Sequence, residues 1–224
     1  MRPRNRVVGV LAYTDQAVLR FLRTRGHAEP AETVMKALGH AGEFGAIWAG
    51  VGAVGATIDH RRRSQWIVGG ATGPFAIGIN YLVKVAVGRQ RPLIEDHPPL
   101  AKAPTKLSFP SAHATSSVAA ATALGRVEPR ARPYLFGLAT AICVGRPYLG
   151  MHYPSDVLGG AALGFGLGMA VRGLGIAPTE ERLFELAVDA NEHAQATRHA
   201  PGNGGAVAPE ESEPAEADPD TTSP

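Results

Sequence analysis

One cysteine in 224 residues leaves no room for a disulfide framework or a cysteine-based zinc site. Cys143 lies in an apolar run and reads as a small core residue. Charge of one sign is missing too: the formal net charge is only +2, and no basic stripe interleaves with aromatics, which argues against a nucleic-acid partner. Lysine occurs only at Lys36, Lys84, Lys102 and Lys106, so arginine carries most of the positive charge. The first apolar stretch is interrupted by Asp15, Arg20 and Arg23, so it does not read as a signal peptide. No internal repeat is visible.

What is present is a polar beginning, a polar end and an apolar middle. Five runs carry no formal charge: Phe44–Ile58, Ser64–Val83, Leu107–Gly125, Pro133–Gly145 and Val157–Val171. A spanning helix needs about 20 mostly apolar residues. The second run meets this alone, and the others reach it with flanking residues. Glycine and alanine throughout suit close helix contact in lipid, and Trp48 and Trp66 sit near run ends. The expectation is an all-α integral membrane helical bundle of about five core helices plus interfacial helices. Residues 1–36 read as an N-terminal interfacial amphipathic segment. A helix starting at Thr14 or Asp15 would put Val18, Leu19, Phe21 and Leu22 partly on one face, with Arg20, Arg23 and Arg25 on the other. Residues 37–175 form the core domain. Residues 176–190 read as a second amphipathic helix, capped by Thr179, and 191–224 as a disordered acidic tail.

Basic residues in short loops set the expected orientation. Arg61, Arg62 and Arg63 place the first loop inside. The segments around Lys84–His113 and Arg146–Asp156 then fall outside, while Arg126, Arg130, Arg132 and Arg172 fall inside. The Arg-rich N-terminus would be outside, against the usual bias.

Those outer segments hold the chemistry. Lys84 and Arg91 are seven apart, nearly one face of a helix, before Pro92 stops or bends the chain. Two cations on one face can hold an anion. Pro110 suits a first helical turn, which would put Ser111, Ala112 and His113 at a positive helix end that binds phosphate readily. Pro154 repeats the device, with His152 just before the helix and Asp156 in its first turn. A carboxylate four residues after an imidazole can accept its Nδ1–H and leave Nε2 free to attack.

Together these segments resemble the three motifs of the type 2 phosphatidic acid phosphatase (PAP2) superfamily: Lys-x6-Arg-Pro, Pro-Ser-Gly-His and Ser-Arg-x5-His-x3-Asp. The resemblance covers about Ala37 to Val171. It implies the helical fold shared by that superfamily and its haloperoxidase relatives, and a phosphatase that needs no metal or cofactor. His152 would form a phosphohistidine, His113 would protonate the leaving oxygen, and Asp156 would orient His152. Lys84, Arg91, Arg146, Ser111 and the backbone near Ala112 would hold the phosphate. Ala112 stands where the motif has glycine, and Gly145 where it has serine; the second change removes a hydroxyl expected near the phosphate.

The stretches Ala37–Phe44 and Ser108–Thr115 are most similar to bacterial polyprenyl-linked members. The implied substrate is a lipid phosphate, foremost a phosphoribosylated decaprenyl phosphate, handled at the outer face of the cell membrane by a multi-pass protein. Undecaprenyl diphosphate, phosphatidic acid and phosphatidylglycerophosphate are the alternative substrates. A soluble acid phosphatase or haloperoxidase, and a non-catalytic membrane scaffold, are the other classes. His27, His40, His60, His97, His193 and His199 have no partner at motif spacing and read as surface or interfacial residues. Tyr148 and Tyr153 read either as entrance residues or as interfacial packing.

Overall fold

Each uncharged run contributes a helix, although residues 107–111 lie ahead of theirs, at the end of a long connection from residue 88. The computed structural model describes residues 3–25, 27–94, 97–171 and Val188. Among these are α1 (Pro3–Thr24), α2 (Glu29–Ala41), α3 (Ala46–Ile58), α4 (Arg63–Val87), α5 (Ala112–Val127), α6 (Arg132–Tyr148) and α7 (Pro154–Ala170). Single 3-10 turns join α2 to α3, α3 to α4 and α5 to α6. The described residues contain no strand, only one isolated bridge between Gln90 and Leu107. The expected helix over 176–190 and the tail 191–224 lie outside the described residues, apart from Val188.

α5 is the central element: twelve of its sixteen residues are buried, among them a run of alanines. Small residues let neighbours approach its backbone. Gly160 and Gly168 of α7 face it so closely that a Cβ on either would come within 2.6 Å of the Ser111 or Ala119 carbonyl oxygen. Gly52 of α3 meets Gly70 of α4 in the same way. Trp48, Leu124 and Ile142 fill the space between α3, α5 and α6. Trp48 also donates to the Ser117 hydroxyl at 3.1 Å, which satisfies its buried N–H. Cys143 is buried and free, as its apolar run implies.

The stretch His60–Val87 is 28 residues long and contains an 18-residue window of mean hydropathy 1.2, and among the described residues it is the one helix long and apolar enough to cross a membrane. α2 and α3 pass the same test only as a pair bent by 50°. Phe44 forms that bend with a φ of 52°, a left-handed conformation that costs a bulky side chain energy.

Three local expectations change. α1 starts by Pro3, well before Thr14. Its inward face is Asp15, Leu19 and Arg23, all at most 5% exposed, while Val18 and Phe21 face outward. Tertiary contacts reverse the polarity that a solitary helix would choose. Pro110 also precedes the helix it was expected to begin: Ser111 is the N-cap and Ala112 the first residue of α5.

Candidate active site

α4 delivers Lys84 in its last turn and then ends. Gly88, at φ 67°, closes it in the left-handed conformation that glycine adopts without strain. Arg91 therefore does not share a helical face with Lys84. It lies on an extended segment that pairs with 105–108: its N–H donates to the Lys106 carbonyl at 3.1 Å, and the Ser108 N–H donates to the Arg89 carbonyl at 2.7 Å. This turn back brings the two cations together. Lys84 is 4% exposed and donates to the carbonyls of Leu107 and Ser108, each at 3.3 Å.

The third segment is shaped by another reversal. Arg146 lies in the last turn of α6, Gly150 turns the chain at φ 74°, and the Met151 N–H donates back to the Arg146 carbonyl at 3.0 Å. His152 follows, and Tyr153 caps α7. Arg91 locks this loop: Nη1 donates to the Met151 carbonyl at 2.7 Å, and Nε donates to the Thr105 carbonyl at 2.8 Å.

Arg91 Nη1 also lies 3.1 Å from His152 Nε2. Arginine has no acceptor, so Nε2 must offer its lone pair and the ring proton sits on Nδ1. Nδ1 faces Asp156 Oδ2 at 3.5 Å, an ion-pair distance longer than a hydrogen bond. That oxygen accepts from the Tyr153 N–H at 2.8 Å, which holds the carboxylate in place. Burial foremost, then Arg91 and Arg146, keep the His152 pKa well below the usual imidazole value. The ring is therefore neutral and its lone pair available. Burial also lowers the pKa of Arg91.

A cavity of about 640 Å³ collects these groups. Lys84, Arg91, Ala112, His113, Arg146 and His152 line it. His113 Nε2 is 3.0 Å from the Gly39 carbonyl of α2, which fixes a proton on that nitrogen. Gly39 is also what admits Arg146, because a Cβ there would stand 2.8 Å from Arg146 Nη1. The Arg146 Nε is buried and has no hydrogen-bond partner among the described residues, a rare state that an oxyanion would relieve. Three cations and a helix N-terminus beside a neutral imidazole can bind a multiply charged anion and attack it in line.

Two expected site residues are not on the cavity. Asp156 lies behind His152, where a group orienting the ring belongs. Ser111 is fully buried against α7, its N–H donating to the Asp156 carbonyl at 3.0 Å, and it does not line the cavity. Gly145 is away from the cavity as well, and its missing Cβ would point to Met35 Sδ of α2 at 3.2 Å. Tyr148 packs on His27 and exchanges hydrogen bonds with the backbone of Ala28; neither it nor Tyr153 lines the cavity. His40, expected at the surface, stands at the cavity rim.

Sequence reasoning missed four contributors. Asn80 lines the cavity and donates to the Pro110 carbonyl at 3.2 Å and the Thr115 hydroxyl at 2.9 Å, steadying the start of α5. Gly39 is legible only once α2 is seen against Arg146. Arg89 stands inside the first motif but between its fixed positions. Asp15 is a lone acid among arginines, which reads as a helix start.

A family model for the PAP2 superfamily matches residues 66–174. The chain is 43% identical over 143 residues to decaprenylphosphoryl-5-phosphoribose phosphatase of Mycobacterium tuberculosis, covering 62% of this chain and 78% of that one. The protein of the same name from Mycolicibacterium smegmatis is 39% identical over 131 residues, covering 57% and 70%. Among solved structures, LpxE of Aquifex aeolicus superposes with a TM-score of 0.56 at 21% identity, over 70% of this chain and 94% of that one. A bacterial vanadium-dependent iodoperoxidase superposes at 0.58 with 17% identity, over 72% and 48%; both likenesses concern the fold. With its cationic cavity assembled from the three motif segments and its close sequence relatives, the chain belongs to the PAP2 superfamily.

Proposed function

We propose that the protein is a membrane lipid phosphatase that removes a terminal phosphate from a polyprenyl-linked substrate, foremost a decaprenylphosphoryl-phosphoribose. The observation that carries this is the character of the cavity. Its floor is cationic, with Lys84, Arg91 and Arg146, while Phe44, Ile77 and Tyr81 form an apolar side that continues to exposed surface. An anionic head with an apolar chain fits both parts. The identity to the mycobacterial phosphatases supports the choice among lipid phosphates.

The reaction proceeds in two displacements. His152 Nε2 attacks phosphorus, and the bond to the leaving oxygen breaks as His113, in its imidazolium form, supplies the proton of Nδ1 while its Nε2–H stays on the Gly39 carbonyl. Asp156 stabilises the cationic ring that results. Water then attacks the phosphohistidine, His113 takes its proton, and inorganic phosphate leaves with His152 neutral again. Lys84, Arg91, Arg146 and the N–H groups at the start of α5, near Ala112, neutralise the non-bridging oxygens. Ser111 contributes by its place at the N-cap, its own N–H being donated to the Asp156 carbonyl.

The bundle crosses the membrane several times with its cavity on the outer side. Lys84 and Arg63 stand near opposite ends of α4, about 32 Å apart at 1.5 Å per residue. Arg62 at the Arg63 end bonds the Val127 carbonyl and pairs with Glu128 at 3.0 Å, so the loops richest in arginine gather away from the site. Ile67, Phe75, Leu82, Val85, Leu158 and Phe165 present apolar surface along the outer helix faces.

The test is phosphate release in detergent micelles, with EDTA present, from phosphoribosylated decaprenyl phosphate, polyprenyl diphosphate and phosphatidic acid. The first is expected to give the highest kcat/KM, and His152→Ala to abolish release. Unchanged release in His152→Ala overturns the mechanism, loss in EDTA overturns metal independence, and preference for phosphatidic acid overturns the substrate assignment.

A further inference from the structure

Behind His152, on the side away from the cavity, lies a polar network that the reaction above leaves unused. Asp15 of α1 is 3% exposed. Its Oδ1 accepts from the Ser155 N–H at 2.9 Å. Its Oδ2 accepts from Arg89 Nη2 at 2.8 Å and from the Ser155 hydroxyl at 2.5 Å. The other arm of Arg89, Nη1, donates to Asp156 Oδ1 at 2.8 Å and to Ser155 Oγ at 2.7 Å. The guanidinium carbon rests 4.1 Å from the centre of the Tyr153 ring. One arginine thus bridges two carboxylates, and one of those lies 140 residues away from its serine partner along the chain.

We propose that Asp15 is a positioning residue for the phosphatase reaction, holding Arg89 and Ser155 so that Asp156 stays aligned and negatively charged behind His152. The inference rests on His152 being the nucleophile. Asp156 has two oxygens with separate duties: Oδ2 faces the His152 ring, and Oδ1 is bound by Arg89. Two carboxylates and one guanidinium leave a net charge of minus one behind a ring that turns cationic when it is phosphorylated. Without Asp15, Arg89 would neutralise Asp156 alone, and the net charge would fall to zero just where positive charge develops. Asp15 also grips the first turn of α7, so the same contacts set the angle from which Asp156 meets the ring. Through these bonds, the N-terminal helix becomes part of the catalytic apparatus rather than an appendage.

The experiment uses the full chain in detergent, measuring kcat, KM and the burst of acid-labile, base-stable phosphoenzyme by rapid quench into alkali. Asp15→Asn, nearly isosteric, is expected to lower kcat and the burst rate about 10–100-fold, the range lost with a hydrogen bond to a charged group. KM should stay within about threefold, because Asp15 does not touch the cavity. Asp15→Asn with Arg89→Gln restores the net charge of minus one and should recover at least about threefold in kcat over Asp15→Asn alone. A packing role predicts the opposite, a double variant no better than the single one. Arg89→Lys keeps the charge but cannot bridge two carboxylates; it carries the test if Asp15→Asn does not fold, with an expected kcat loss of about tenfold at unchanged KM. Wild-type kcat in the variant tested, or a double variant no better than Asp15→Asn, overturns the inference. Wild-type protein that releases no phosphate from any substrate would instead overturn the phosphatase reading beneath it.

Discussion

Serine at position 145 is one of the two motif residues this chain lacks, and restoring it separates a sequence argument from a structural one. If the hydroxyl reached the phosphate, Gly145→Ser would add a hydrogen bond to a charged group, about 1.5–3 kcal/mol. At about 1.4 kcal/mol per factor of ten, that is a gain of about tenfold to 150-fold in kcat/KM. The structure predicts otherwise. Gly145 does not line the cavity, and its Cβ direction leads to Met35 Sδ at 3.2 Å. The thioether would have to yield by a few tenths of an ångström, which a flexible methionine does at small cost. The new hydroxyl can bond the carbonyl one turn back, so it is not left unsatisfied. Serine inside α6 gains up to about 0.5 kcal/mol over glycine, which offsets part of the crowding. The expected result is therefore a kcat/KM within about threefold of the parent and a melting temperature shifted by only a few degrees, read by phosphate release and by thermal unfolding in the same detergent. A tenfold rise in kcat/KM would refute this placement of position 145.

Arg91→Lys should lower kcat/KM about 10–100-fold in the same release assay, since one ammonium cannot reproduce the contacts to Thr105, Met151 and His152; a loss under threefold would count against the clamp. The lowered pKa of His152 keeps its lone pair free into acid, so the acid limb of kcat/KM assigned to this ring should fall below pH 6.5, and a limb at or above that value would contradict the buried, cation-flanked site. Gly160→Ala should destabilise the fold by about 1–3 kcal/mol in a thermal melt, because its Cβ would meet the Ser111 carbonyl at 2.6 Å. Gly166→Ala is its control: nothing among the described residues lies within 4 Å of its Cβ position, so stability should hold or rise, and equal melting of the two variants would refute the close α5–α7 contact.

α1 gives the bundle a division of labour that the motifs alone do not describe. Asp15 meets the first turn of α7, and one helical turn below Leu19, Arg23 Nη2 donates to the Pro98 carbonyl at 2.8 Å. The segment that follows Pro98, through Leu100 and Ala101, forms part of the cavity wall. One helix therefore braces both the loop beside the cavity and the carboxylate behind the imidazole.

The groups proposed to react were legible in the sequence because their spacing is short and their chemistry is distinctive. His152 and Asp156 are four apart across a helix start, and a proline marks that start. The apolar runs likewise read as helices, since charge-free stretches rich in alanine and glycine have few other ways to bury their backbone groups. Long-range packing decided the rest. Lys84 and Arg91 meet because Gly88 ends α4 and the chain pairs with 105–108, a reversal that a seven-residue spacing does not announce. Asp15, Leu19 and Arg23 face inward because Arg89, Ser155 and the Pro98 carbonyl are there to receive them, and no periodicity within α1 contains those partners. Ser111 and Gly145 occupy motif positions, yet the direction of each side chain depends on helices contributed from elsewhere in the chain. Sequence by itself determined which groups are available; only the tertiary structure determined which of them share a cavity, because a side chain's neighbours across a bundle are set by how the helices cross.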